Sequence, residues 1–353
     1  MSCGHRGAIT AASAQDFSSA AADLGVKVSL DEPLARHTTF RIGGLADLFA
    51  EATTTAQLAA LVALAAEQGI PTTVLGGGSN VLVSDAGVRG LVIANRTRQL
   101  EIRLGMPGPD GQHDAEGQPY LVADSGVPLA GLARWAIRKG WAGLEWAVSV
   151  PGTVGGAVIG NAGAHGGDMA GNVAWTQVVS PDLGRQVLTA TALAFAYRSS
   201  ALKTHGVSGD AQTGGLVQTA RTPLGSRPVI LTVGLYAVPG ETTEMAARAE
   251  RFLARRRTTQ PVEPSAGSIF RNPRDDYAGR LVEAAGLKGQ RIGGAQISPR
   301  HANFIVNTGQ ATAADVVALM NLMRSRVHQL TGIVLIPEIS FLGDWTAHPL
   351  CIL

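Results

Sequence analysis

Glycine constrains this chain more than any other residue: it supplies 44 of 353 positions, about twice the usual share. The glycines are bunched at Gly43-Gly44, Gly76-Gly77-Gly78, Gly152 to Gly167 and Gly293-Gly294. Lacking a Cβ, glycine admits left-handed backbone angles and lets a main chain come close to another backbone or a ligand. Bunches of this kind between well-patterned segments mark places where the backbone itself is the contact surface. They form no repeat, and the helix and strand patterns between them exclude a fibrous or disordered chain.

Other features narrow the class. Lys plus Arg number 29 against 27 Asp plus Glu, a net charge of +2 that gives no field for a polyanionic partner, so nucleic acid is not expected. Cys3 and Cys351 lie at the two ends, leaving no disulfide framework or CxxC ligand pair. The eight histidines show no HExxH or similar spacing, so no transition-metal site is expected. No apolar run reaches membrane-spanning length, and residues 1–20 lack the apolar stretch of a signal peptide. The expectation is a cytoplasmic chain, not inserted in a membrane, with a loose extension over residues 1–30; nothing in the sequence sets an oligomeric state.

Along the chain, helices and strands alternate. Thr53 is the expected cap of a helix with Leu58, Leu61, Val62 and Ala65 on its apolar face, ending at Gly69 before Pro71. Short strands follow to Leu75, at Val81–Val83 and around 90–94, then a polar excursion over 104–118 and a strand at Leu121–Ala123. Pro128 opens a helix that stops at Gly140, and a strand over 228–238 precedes a helix over 242–257. Pro261 and Pro264 place a boundary near residue 258. Beyond it come a helix capped by Asp275, a second with the capping box Thr312-Ala313-Ala314-Asp315 burying Val316, Met320, Met323, Val327 and Leu330, and a strand from Ile333 to Leu342.

Two glycine segments point to a ligand. In Gly76-Gly77-Gly78-Ser79-Asn80 a strand runs into three glycines and two small polar residues, a setting in which main-chain amides hold a pyrophosphate. An ordinary glycine-rich turn is an equal alternative there, since neither GxGxxG nor the lysine of a nucleotide-triphosphate loop is present. Ser149 to Gly166, almost uncharged and with six glycines, reads as a poor helix or strand but a good cradle for a flat ligand. Together they fit a dinucleotide-sized cofactor.

The motifs Thr38-Thr39-Phe40-Arg41-Ile42-Gly43-Gly44, Gly76 to Asn80, Pro151 to Gly156, Gly160 to Ala164, Tyr197-Arg198-Ser199-Ser200, Ala266 to Pro273 and Pro337-Glu338 occur in the order found in the bacterial UDP-N-acetylenolpyruvoylglucosamine reductases (UDP-N-acetylmuramate dehydrogenases), which the chain resembles over about residues 36–343. Ala284 to Gly289, Gly293 to Ser298 and His301 to Phe304 make it most similar to the shorter second type. The resemblance implies an α+β chain: an FAD-binding module of the vanillyl-alcohol-oxidase type over 31–257, in two α+β subdomains (about 31–100 and 101–257), then an α+β substrate-binding domain over 258–353. It implies non-covalent FAD as cofactor and NADPH as co-substrate. Reduction of an enolpyruvyl ether on a UDP-sugar, a step of peptidoglycan precursor synthesis, is the implied reaction. The alternative is another flavin-dependent oxidoreductase of the same fold, acting on an alcohol or hydroxy acid.

By the same resemblance FAD contacts fall to Thr39, Arg41, Gly76, Gly77, Gly78, Ser79, Asn80, Gly152, Thr153, Gly155, Gly156, Asn161, Gly163 and Ala164. Substrate contacts fall to Tyr197, Asn272 and Lys288, and catalysis to Arg198, Ser268 and Glu338. Read alone, Arg198 is as well a surface ion pair, Ser268 a hydroxyl bonded to its loop, and Glu338 an edge-exposed or paired carboxylate in an apolar run. At His165 the family usually has Tyr, and His205 to Arg227 lacks the tyrosine with which the longer type covers its substrate.

Overall fold

The computed structural model describes residues 9–107, 117–203, 208–209, 216–217 and 228–345. Helix α1 (Ala11–Asp23) is capped by Thr10, whose hydroxyl accepts from the Ser13 amide. It precedes strands β1 (Val28–Pro33) and β2 (Leu45–Ala52), helix α2 (Thr55–Glu67) and strands β3 (Thr72–Leu75), β4 (Val81–Val83) and β5 (Val88–Asn95). Four of these strands form one sheet in the order β1, β2, β5, β3, with β1 antiparallel to β2 while β2 and β3 run parallel to β5. Residues 9–30 are therefore not a loose extension. Phe17 and Ala21 are fully buried against Leu48, Leu58, Leu61 and Leu91, because Ala14, Phe17 and Ala21 recur on one face of an otherwise small and polar helix. The first eight residues lie outside the described ones. The cap of α2 is Thr54, which accepts from the Gln57 amide, while Thr53 bonds the Gln57 side chain.

The second sheet is antiparallel and five-stranded. Its order is Gly184–Thr189, Val173–Ser180, Val229–Tyr236, β7 (Pro119–Asp124) and β6 (Leu100–Leu104). Helices α3 (Leu129–Arg138), α4 (Val154–Ile159) and α5 (Thr242–Thr259) cover one face, joined in a core with Leu121, Leu132, Val158, Val173 and Leu235. Helix α4 corrects the expectation that Ser149 to Gly166 lacks regular structure. Thr153 caps it and Val154, Ala157 and Val158 bury one side of it, which outweighs the poor helix propensity of two glycines. Most of the excursion expected over 104–118 lies outside the described residues.

The C-terminal part packs α6 (Ala278–Ala284) and α7 (Ala313–Thr331) on a small sheet of Arg291–Ile292, Ala295–Ile297 and Ile305–Asn307. Its core contains three residues from far upstream, Phe40, Ile42 and Leu82. The capping box of α7 forms as expected. Three details differ. Helix α6 starts after Tyr277 instead of at Asp275, since Asn272 already accepts from the Ala278 amide. Leu330 is 59% exposed because the last turn of α7 runs past the core. Regular strand pairing after α7 is confined to Ser340–Leu342, parallel to β4; Pro337 cannot donate to a ladder and makes only an isolated bridge to Phe270. Among the described residues no helix is long and apolar enough to cross a membrane.

One contact ties the first subdomain to the C-terminal part. The Asp85 carboxylate accepts from the amides of Ala313 (2.8 Å) and Ala314 (3.0 Å) at the start of α7, where free donors and the helix dipole favour negative charge. Asp85→Ala is expected to lower stability by about 1–2 kcal/mol, read as a shift in the urea midpoint at unchanged slope. An unshifted midpoint would show that the capping box suffices.

Candidate active site

The glycine loops build a cradle by touching each other. The loop 76–80 leaves β3, and the segment 151–156 follows a short 3-10 turn at Glu145–Ser149. A Cβ on Gly76 would lie 2.3 Å from Thr153 Oγ1, on Gly77 3.0 Å from Gly152 Cα, and on Gly152 2.6 Å from Ser79 Oγ. On the third side the Thr39 amide and hydroxyl both donate to the Gly78 carbonyl, and the same hydroxyl also reaches Ser265 O (2.7 Å). A side chain on Gly155 would meet Ser125 Cβ at 2.8 Å. Substitution of Gly77 or Gly155 therefore strikes the protein's own backbone before any cofactor. Gly156 is different. It is exposed, and its nearest neighbour is Thr153 Oγ1 at 3.6 Å. Gly77, Asn80, Thr39 and Arg41 are exposed as well. The result is a surface of bare main chain flanked by small polar groups, which fits the pyrophosphate and flat rings of an FAD held by these loops.

Beside the cradle stands a cluster of charges. Ala196 and Ser199 exchange both main-chain hydrogen bonds, leaving Tyr197 and Arg198 at the tip of a tight turn. Arg198 Nη1 donates to Gly163 O (3.0 Å), and its Nε lies 2.8 Å from Glu338 Oε1. The guanidinium also sits 5.6 Å from the Tyr197 ring centre. Glu338 is bound to the cradle through its main chain: its carbonyl accepts from Asn80 Nδ2 (3.2 Å), and its amide donates to Ile269 O (2.8 Å). Ser268, the neighbour of Ile269, bridges to Phe304 on the other side, so Ser268 and Glu338 occupy adjacent segments although 70 residues separate them in sequence. Burial pushes the Glu338 carboxyl above its ordinary value, opposed by Arg198, Lys203 and Arg271. Burial likewise lowers the Lys203 amine to about 8, with Arg271 next in effect.

Backbone strain gathers at the same place. Among the described residues, Asp31, Arg41, Asn161, His165, Ala194 and Arg198 are the non-glycine residues in left-handed backbone. Four of them, Arg41, Asn161, His165 and Arg198, belong to the cradle and its charged flank. Each costs about 1–2 kcal/mol, and such strain persists where surrounding contacts over-determine it, commonly at functional sites.

Other expected contacts take specific positions. Asn161 is buried and donates to Ala196 O (3.0 Å), so its side chain holds the Arg198 turn. The His165 ring stacks on Phe252 and lies 3.3 Å from Ser149 Oγ; burial, then Arg255 and Arg256, hold it below its ordinary pKa. Lys288 pairs with Glu283 (2.7 Å) and faces His301, whose ring packs edge-on to Phe304. Asn272 is exposed, with its carbonyl turned to α6. Sequence reasoning missed Lys203 and Arg271, the two further cations around Glu338. Arg271 stood within a quoted motif; no signal singled out Lys203. All but four residues of the stretch 205–227 lie outside the described ones.

A glycine cradle of this construction with a half-buried arginine–glutamate pair at its edge defines a flavin-dependent oxidoreductase. Residues 46–189 match the model of an FAD binding domain, and residues 260–342 that of the UDP-N-acetylenolpyruvoylglucosamine reductase C-terminal domain. The chain is 42% identical to UDP-N-acetylenolpyruvoylglucosamine reductase 2 of Symbiobacterium thermophilum, over 88% of this chain and 91% of that one. It is also 42% identical to the reductase of Moorella thermoacetica, over 91% and 95%. The crystal structure of the reductase from Thermus caldophilus superposes with a TM-score of 0.66 at 32% identity, covering 90% of this chain and 98% of that one. The chain belongs to the UDP-N-acetylenolpyruvoylglucosamine reductase family.

Gly156→Val is expected to lower FAD content in the purified protein while leaving the melting temperature of the flavin-stripped protein within a few degrees, since its Cβ has room. Gly155→Val is expected to melt earlier even when flavin-free. Full flavin occupancy in Gly156→Val would remove that surface from the cofactor site.

Proposed function

We propose that the protein catalyses the NADPH-dependent reduction of the enolpyruvyl ether of UDP-N-acetylglucosamine enolpyruvate to UDP-N-acetylmuramate. This places it in the cytoplasm, in peptidoglycan precursor synthesis and thus in cell shape and division. The observation that carries the reading is the 2.8 Å contact between Arg198 and Glu338, formed where the cofactor cradle meets the C-terminal core and with Ser268 on the neighbouring segment. Bound in the cradle and reduced by NADPH, FAD would supply the hydride for the vinyl terminus of the substrate.

The residues then have separate tasks. Hydride addition to the vinyl terminus drives negative charge into the substrate carboxylate, and fixed cations there lower the barrier without reorganising. Arg198, with Arg271 beside it, provides that field. Arg198 Nε, despite its ion-pair contact with Glu338, and Arg271 Nε are both buried without an aligned hydrogen-bond partner among the described residues, so the cluster retains donor capacity for an anionic group. Glu338 orients the Arg198 guanidinium and limits the net charge of the empty cluster. Ser268 donates the proton to the carbon beside the carboxylate, a step open to a hydroxyl only when the recipient is strongly basic. The cradle residues from Thr39 to Ala164 hold FAD; Tyr197, Asn272 and Lys288 line the approach of the UDP-sugar.

Two further assignments go with this reading. The FAD is dissociable, because His165 is engaged by Phe252 and Ser149. The FAD module ends near residue 257 and the substrate domain begins at 258, in line with the α5 terminus at Thr259 and the family match from 260; α1 joins the first subdomain.

Stopped-flow absorbance of the flavin separates the half-reactions. Arg198→Ala and Glu338→Gln are expected to bleach with NADPH near the wild-type rate and to reoxidise with substrate much more slowly. Ser268→Ala is expected to bind FAD and bleach normally while turnover falls by about 10²–10⁴, with an altered solvent isotope effect and Ser268→Cys keeping part of the activity. Equal damage to both half-reactions would sink the assignment of Arg198 and Glu338. Normal turnover of Ser268→Ala would move the proton donor elsewhere.

A further inference from the structure

Lys203, which no motif singles out, has the most demanding surroundings in the cluster. Lys203 Nζ donates to the main-chain carbonyl of Arg198 (2.7 Å), and the charged groups that face it among the described residues are Arg198, Arg271 and Glu338. An ammonium there is desolvated and repelled by two guanidiniums, with one carboxylate in compensation. A neutral donor would close the carbonyl at smaller cost. The side chain is also delivered by fixed chain: between Arg198 and Lys203, Ser200 Oγ donates to Ile159 O (2.9 Å) and the Ala201 amide to Leu193 O (2.7 Å). The carbonyl it grips belongs to a residue in strained left-handed backbone, φ 55°.

We infer that Lys203 is a positioning residue for Arg198, its ammonium clamping the strained turn so that the guanidinium stands against Glu338 and is ready for the substrate carboxylate. The inference rests on the role proposed above for Arg198. Three cations around one carboxylate leave the cluster positive before substrate arrives, and the incoming carboxylate balances it. Lys203 itself acts through the geometry of Arg198. Without it the turn can relax, and Arg198 is free to leave Glu338.

The test uses the FAD-loaded protein, NADPH and UDP-N-acetylglucosamine enolpyruvate. Lys203→Met is expected to keep its flavin and bleach with NADPH near the wild-type rate, while reoxidation by substrate falls by about 10- to 100-fold, the loss expected for a charged hydrogen bond. Lys203→Arg, which keeps donor and charge, is expected to recover most of that rate. Because Lys203 acts through Arg198, the double variant Lys203→Met with Arg198→Ala is expected to reoxidise no more slowly than Arg198→Ala alone. The pH profile gives an independent reading. The amine is charged below about 8 and neutral above it, so wild-type kcat/KM falls on the alkaline side of that value; in Lys203→Arg the fall moves to higher pH. Wild-type reoxidation in Lys203→Met while Arg198→Ala is slow overturns the inference, as do multiplying penalties in the double variant. Flavin loss in both Lys203 variants would assign the residue to packing instead. Failure of the underlying reading is seen separately, as normal reoxidation in Arg198→Ala.

Discussion

Three residues of parallel strand hold the proposed catalytic arrangement together. Ser340–Leu342 pairs with Val81–Val83; Val81 directly follows Asn80 of the glycine loop, and Ser340 lies two residues after Glu338. The ladder continues beyond its ends, with the Ser340 amide donating to Asn80 O and Asn80 Nδ2 donating to Glu338 O. A hydrogen-bonded register leaves no freedom to slide, since a one-residue slip would turn every side chain to the opposite face. The distance from cofactor cradle to Glu338 is therefore set by main-chain geometry, and Arg198 finds its partner at a fixed place.

The glycines act one level below this. Most of those in the cradle are required because protein backbone lies against them, as between Gly77 and Gly152 or Gly155 and Ser125. Only a few, Gly156 foremost, combine exposure with room. The ligand surface exists because the loops behind it are packed without side chains. The left-handed residues Arg41, Asn161, His165 and Arg198 show the same economy of space where a side chain had to be retained, and the hydrogen bonds of Asn161 and Lys203 to the Arg198 turn show how such strain is contained.

Local signals in the sequence revealed local structure well. The capping box of α7, the apolar face of α2 and the opening of α3 at Pro128 depend on residues within one or two turns of each other, and all three form. Errors came where distant packing decided. Helix α1 looked like a loose tail because its buried face is one phenylalanine and two alanines; α4 looked irregular because glycines hid the Val154, Ala157 and Val158 stripe; the expected strand over 333–342 shrank because Pro337 breaks its ladder. At the site, motif order brought forward Arg198, Ser268 and Glu338, which the structure gathers. Lys203 was invisible because its significance lies in a single main-chain carbonyl and three charged neighbours, none of which leaves a pattern in the nearby sequence.

The C-terminal core borrows Phe40, Ile42 and Leu82 from the other end of the chain, with consequences for how such a protein can be rearranged in evolution or engineering. A crossover near residue 258 would exchange a domain by sequence but sever a core in space. A chimaera made there inherits three buried side chains selected to fit another partner, along with a strand, β4, whose mate has been replaced. Transferable units have to follow the packing, so a workable graft of the C-terminal part carries the Thr38 to Gly44 and Val81 to Val83 segments with it, and the two halves diversify together as one piece.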